Sequence, residues 1–144
     1  MEVVIRGTGD NPLVDPQLGD ELVECFADQR ADYATSKSVD VDSGLPDGVG
    51  LEVFSFAALQ AAHRCGLAPN HRKHINDFVL EHPERFRIAV MMRSFPAGRG
   101  QELRLTVDTA EDFAEVERIF RHFEGRENQM GLADLAAFCS GERF

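Results

Sequence analysis

The chain opens with Val3-Val4-Ile5, turns through Arg6-Gly7-Thr8-Gly9-Asp10-Asn11-Pro12, and meets a helix start at Asp15-Pro16. An unbroken β-branched run reads as a strand buried on both faces. Gly7 and Gly9 permit a sharp turn and a close approach of backbone to a ligand. Asp15 before Pro16 is an N-cap followed by proline at the first helical position. This strand, turn and helix place Asp10 at the carboxyl edge of its strand, where open α/β sheets bind ligands. A carboxylate there suits Mg²⁺, which takes one or two protein carboxylates plus phosphate oxygens. Turn chemistry alone accounts for the same residues, and that plainer reading of Gly-Asp-Asn-Pro stands beside the first.

The design recurs at Leu105-Thr106-Val107-Asp108-Thr109, where an apolar strand signal ends in an aspartate and a helix cap. In a sheet whose strands run the same way, Asp10 and Asp108 reach one edge and converge on one metal. Taken alone, Asp108 reads as a capping residue beside Thr109; the pairing is what suggests a site.

Between these segments, apolar spacing predicts a helix over residues 16–28 and a short strand over 31–36. A polar stretch from Lys37 to Gly48, with Asp40, Asp42, Ser43 and Gly44, reads as a surface loop. A strand over 49–54 leads to a helix capped by Ser55 and closed by Gly66. A second helix, 70–81, stops before Pro83. Residues 86–92 read as a strand, 94–101 as a Gly/Pro/Arg loop and 103–107 as a strand. A helix capped by Thr109 follows, with Phe113, Val116, Ile119, Phe120 and Phe123 as its core face. A last helix spans 132–139. Strands alternating with helices predict a three-layer α/β domain.

At 144 residues the length fits one domain with a real core. The net charge of −10, from 25 acidic and 15 basic residues, argues against nucleic acid or an anionic membrane as the main partner. It leaves room for a nucleotide, because a metal ion inverts the local charge. No apolar run approaches a membrane span, and no basic and apolar leader opens the chain. Cys25, Cys65 and Cys139 are odd in number and far apart, and read as buried thiols of a cytoplasmic protein. His71-Arg72-Lys73-His74 is the one basic cluster, suited to a substrate carboxylate or phosphate or simply a polar helix start. Cys65 with His71 and His74 matches no recognised zinc spacing. Glu52 is placed to meet a sugar hydroxyl or to be a solvated strand position.

Three segments carry a resemblance: Arg6 to Pro16, Pro46-Asp47-Gly48-Val49-Gly50-Leu51-Glu52-Val53-Phe54-Ser55-Phe56, and Leu103 to Phe113. In order and spacing they resemble the cytidylyltransferase family, which includes acylneuraminate and 3-deoxy-manno-octulosonate cytidylyltransferases, and most closely its spore-coat polysaccharide branch. The resemblance implies a mostly parallel sheet flanked by helices, as in nucleotide-diphospho-sugar transferases. It further implies Mg²⁺ held by Asp10 and Asp108, CTP as nucleotide, and an acidic sugar or phosphonate as acceptor. Arg6 and Asn11 in the first segment, with Glu52, Arg72 and His74, make up the expected substrate-binding set. His74 lies where that branch has Glu-His-Val, with Lys73 in place of the Glu, and Gly7 stands where Thr or Ser is commoner.

The family opens with a Gly/Arg/Lys-rich loop for the triphosphate, and nothing like it precedes Met1. The resemblance therefore covers the carboxyl-terminal part of the family's domain and implies weak or absent catalysis by this chain alone. It also implies an opening strand left without a neighbour, which predicts a homo-oligomer through edge pairing. A non-catalytic binding or assembly module that kept the scaffold, and an unrelated α/β domain with plain caps, are the alternatives.

Overall fold

The computed structural model describes residues 2–36, 45–93, 103–126 and 130–141. The expected loop at 94–101, and Asp40, Asp42, Ser43 and Gly44, lie outside the described residues. Among the described residues four strands form one sheet: β1 (Val3–Arg6), β2 (Tyr33–Thr35), β3 (Glu52–Ser55) and β4 (Ile88–Val90), in the order β1-β3-β2-β4. β3 runs antiparallel to both β1 and β2, whereas β2 and β4 are parallel. The sheet is therefore mixed: three strands share a direction and β3 is reversed among them.

Among the described residues there are six helices: α1 (Pro16–Asp28), α2 (Phe56–Cys65), α3 (Pro69–Lys73), α4 (Asp77–Leu80), α5 (Ala110–His122) and α6 (Leu132–Ser140). α1 starts where expected, with Asp15 accepting from the Gln17 N–H at 2.8 Å and Pro16 in its first turn. Its Leu22 and Phe26 cover one sheet face, against Ala34, Val53 and Ala89. On the other face, Ala58 and Ala62 of α2 and Phe78 and Val79 of α4 pack on Tyr33 and Phe54. A third cluster joins α5 and α6 to Leu13, Leu18, Leu45, Val49 and Leu105. Helices on both faces of a sheet give the three layers that the βα alternation predicts.

Several expectations are corrected. β1 is not buried on both faces: it pairs only with β3 among the described residues, and Val3 and Ile5 are 40% and 55% exposed. α1 packs mainly over β2 and β3, and Ile5, beside Val53 on that face, stays exposed. The single helix expected at 70–81 is two short ones, because the backbone extends at His74 (φ −121°, ψ 98°). The break lets α4 turn Phe78 and Val79 into the core, and packing overrides propensity there.

No strand forms at 103–107. The segment makes one isolated parallel bridge, between Asp47 and Arg104, with the Asp47 N–H bonded to the Leu103 carbonyl at 3.2 Å and the Leu105 N–H to the Asp47 carbonyl at 2.7 Å. Gly48 adopts φ +100° directly after that bridge, so the backbone swings away before a ladder can extend. Phe113, expected in the core, is 59% exposed because the cluster begins one turn later, at Val116. Cys65 is exposed and Cys25 and Cys139 are half-buried; all three are free thiols.

Candidate active site at the sheet rim

Beyond the carboxyl end of β1 the chain folds into a tight turn, with the Asn11 N–H bonded to the Thr8 carbonyl at 3.0 Å. The Asp10 carboxylate is held below its usual pKa, first by the Thr8 side-chain hydrogen bond, then by its own backbone N–H and, against a small burial effect, by the charge of Arg6. The carbonyl of Asp10 accepts from the Val107 N–H at 2.9 Å. That bond ties the first aspartate to the residue immediately before Asp108, so the two acidic turns meet at one rim.

Asp108 leads into α5. Its N–H and that of Thr109 both donate to the Asp112 carboxylate, at 3.0 and 2.9 Å, and the Thr109 hydroxyl accepts from the Asp112 N–H at 3.2 Å. Thr109 is the cap that the sequence predicts, and the return bonds to Asp112 make it a capping box. The bond from the Asp108 N–H is also the main reason the Asp112 carboxyl lies below its usual range. The Asp108 carboxylate is half exposed, pairs with the Arg104 guanidinium, and accepts from the Thr106 hydroxyl at 3.4 Å.

Arg6 and Glu52 face each other across β1 and β3 in register and form an ion pair. The Tyr33 hydroxyl of β2 donates to the other carboxylate oxygen of Glu52 at 2.6 Å. Tyr33 is 1% exposed; burial first, and then the Glu52 charge, raise its pKa far above the usual phenol range. The Thr35 and Asn76 side chains also bond that hydroxyl.

Asp10, Asp108, Arg6 and Glu52 are thus placed in two neighbouring groups, linked by the field of Arg6 at Asp10. Asn11 is half-buried and its N–H closes the Thr8 turn. Arg72 and His74 are exposed at α3: Arg72 meets the His63 ring at 3.3 Å, and His74 bonds through its backbone within residues 70–77. His71 is the structural member of the basic cluster, with Nδ1 accepting from the Ala68 N–H at 3.3 Å and Nε2 bonded to Glu81 at 2.7 Å.

Sequence reasoning passed over Tyr33, Thr8 and Arg104. The signals were present: Tyr33 is the one tyrosine, and a buried phenol must find a partner. Arg104 stands four residues before Asp108, and Thr8 two before Asp10.

Two exposed carboxylates at one rim, Asp10 held ionised, are a donor set that Mg²⁺ accepts together with phosphate oxygens and water. Among the described residues no group of three His, Cys, Asp or Glu side chains gathers into an all-protein metal cage. A cation held by Asp10 and Asp108 would therefore take its remaining ligands from phosphate oxygens and water. Among the described residues no helix is long and apolar enough to cross a membrane.

No family model matches the chain. It is 31% identical over 123 residues to an uncharacterized protein of Methanocaldococcus jannaschii, covering 85% of this chain and 48% of that protein. It is 30% identical over 120 residues to the spore coat polysaccharide biosynthesis protein SpsF of Bacillus subtilis, covering 83% of this chain and 47% of that protein. The chain thus spans about half the length of the curated relatives it matches. Among solved structures, a cytidylyltransferase from Leptospira borgpetersenii superposes with a TM-score of 0.82 over 98% of this chain and 57% of that one, at 24% identity. The spore coat polysaccharide relative accords with the resemblance of the three motif segments, and the solved cytidylyltransferase shares the fold.

Proposed function

We propose that this chain carries the cation-binding rim of a CTP-dependent nucleotidyltransferase that acts on an acidic sugar in the cytoplasm, for a surface polysaccharide. In that reaction a sugar oxygen attacks the α-phosphate of CTP and pyrophosphate leaves. The observation that supports the reading is the 2.9 Å bond from the Val107 N–H to the Asp10 carbonyl, which joins the Asp10 turn to the residue before Asp108. These two aspartates would hold Mg²⁺, which when bound neutralises charge on the triphosphate. Arg6 offers a cation to an anionic substrate oxygen, and Asn11 braces the Asp10 turn. Arg72 and His74, exposed on α3, are proposed to meet the far end of the acceptor.

Because the chain covers about half of its relatives' length, turnover by this chain alone is proposed to be weak or absent. The exposed edge of β1 is proposed to support a homo-oligomer. One observation favours a second reading, a ligand-binding module without catalysis: Arg104 already neutralises Asp108.

Titration calorimetry with CTP and Mg²⁺ separates the two. Binding that needs the metal and is lost in Asp10→Ala supports the nucleotidyltransferase reading. Binding indifferent to Mg²⁺ and to Asp10 supports the module.

A further inference from the structure

Arg6, Glu52 and Tyr33 come from three adjacent strands and form one continuous polar line across the sheet. Arg6 lies at the rim, with 32% of its side chain open to solvent, while Glu52 is more enclosed, at 16%. Each oxygen of Glu52 has its own partner: Oε2 takes Nη1 of Arg6, and Oε1 accepts from the Tyr33 hydroxyl. Tyr33 is anchored by packing, at 4.7 Å from the Phe54 ring and buried in the α2–α4 cluster. A carboxylate fixed at both oxygens fixes the guanidinium it holds, and a guanidinium keeps further N–H donors for a second anion.

We infer that Glu52 is a positioning residue: anchored by Tyr33, it holds Arg6 as a rigid arm that takes a charged oxygen of the substrate beside Asp10. This deepens the nucleotidyl-transfer reading and rests on it for the nature of the substrate. The ligand chemistry is an anionic oxygen, from either a phosphate of the nucleotide or the carboxylate of the sugar acid. Glu52 itself touches neither, which reassigns it from the sugar-hydroxyl contact that the sequence suggests.

The test measures affinity for two probes without Mg²⁺, inorganic pyrophosphate and a phosphate-free sugar acid, by titration calorimetry. Arg6→Ala is expected to weaken the probe that the arm takes by about tenfold, which identifies the source. Glu52→Gln and Tyr33→Phe are expected to weaken the same probe by a smaller factor and leave the other unchanged.

A purely electrostatic role predicts the opposite sign for Glu52→Gln, because removing a negative charge would tighten anion binding; that result overturns the positioning role. Unchanged affinity for both probes in Arg6→Ala, or no binding of either probe by the unaltered chain, overturns the arm. Should Arg6→Ala fail to fold, Arg6→Lys keeps the charge and loses the planar fork; weaker binding supports the arm and equal binding sinks it. If Arg6→Ala weakens one probe while Mg²⁺·CTP binding ignores Asp10→Ala, the arm stands and the nucleotidyl-transfer reading fails.

Discussion

Asp15 serves two helices with one carboxylate. One oxygen accepts from the Gln17 N–H at 2.8 Å and caps α1; the other accepts from the Leu132 N–H at 3.0 Å, at the start of α6. Asp15 is 7% exposed, so its removal leaves two donors without a partner, one of them buried. Asp15→Ala is expected to cost about 2 kcal/mol, a cap plus a buried orphan N–H, and urea unfolding measures it. A loss no larger than that of an ordinary surface substitution would show that the tie to α6 contributes nothing. The sequence displays Asp15 as a cap, because Asp-Pro before an apolar period is local information. It is silent on the second role, since Leu132 is brought there only by folding.

At the scale of elements, the turn between Gly48 and the 103–108 segment governs the rim. A Cβ on Gly48 would lie 2.3 Å from the Leu105 carbonyl carbon, and the residue sits at φ +100°. Both facts bar a side chain. Gly48→Ala is expected to destabilise the fold by about 3 kcal/mol and, in the folded fraction, to displace Asp108 and weaken Mg²⁺·CTP binding. Thermal unfolding and calorimetry read the two effects separately.

The α3–α4 turn gives a pH prediction. The Glu81 carboxyl lies below its ordinary value of 4.5, first through its bond to the His71 ring and then through that to Asn70. A depressed folded pKa means the contribution is complete above pH 4.5 and is lost as pH falls through the folded value. Glu81 is exposed, so the effect on global stability is small, and carboxyl NMR is the measurement. Glu81 should titrate below pH 4.5 and return toward it in His71→Ala. An unchanged titration in that variant would remove His71 as the cause.

For the whole molecule, the side of β1 left unpaired among the described residues bears on how the chain would behave in solution. Strand backbone and the exposed Val3 and Ile5 form an edge with neither proline nor an unpaired charge, since Arg6 is taken by Glu52. Light scattering is expected to find a dimer or larger species. Ile5→Lys is expected to shift it toward monomer without loss of helical signal, because Ile5 is already exposed. A monomer at high concentration in the unaltered chain would defeat the expectation.

The chain by itself settled whatever depends on neighbours in sequence. Asp15, Ser55 and Thr109 announce helix starts through side chains that reach their own backbone, and α1 and α5 follow from apolar spacing. Asp10 and Asp108 stand out locally because each follows an apolar run and precedes a cap. Tertiary structure alone decided the reversed direction of β3 and the break at His74. It also chose the partners of charged groups: Arg104 for Asp108, and Arg6 with Tyr33 for Glu52. The reason is physical. Local hydrogen bonds and periodicity are encoded within a few residues, whereas strand order and ion pairing are set by which surfaces are buried together.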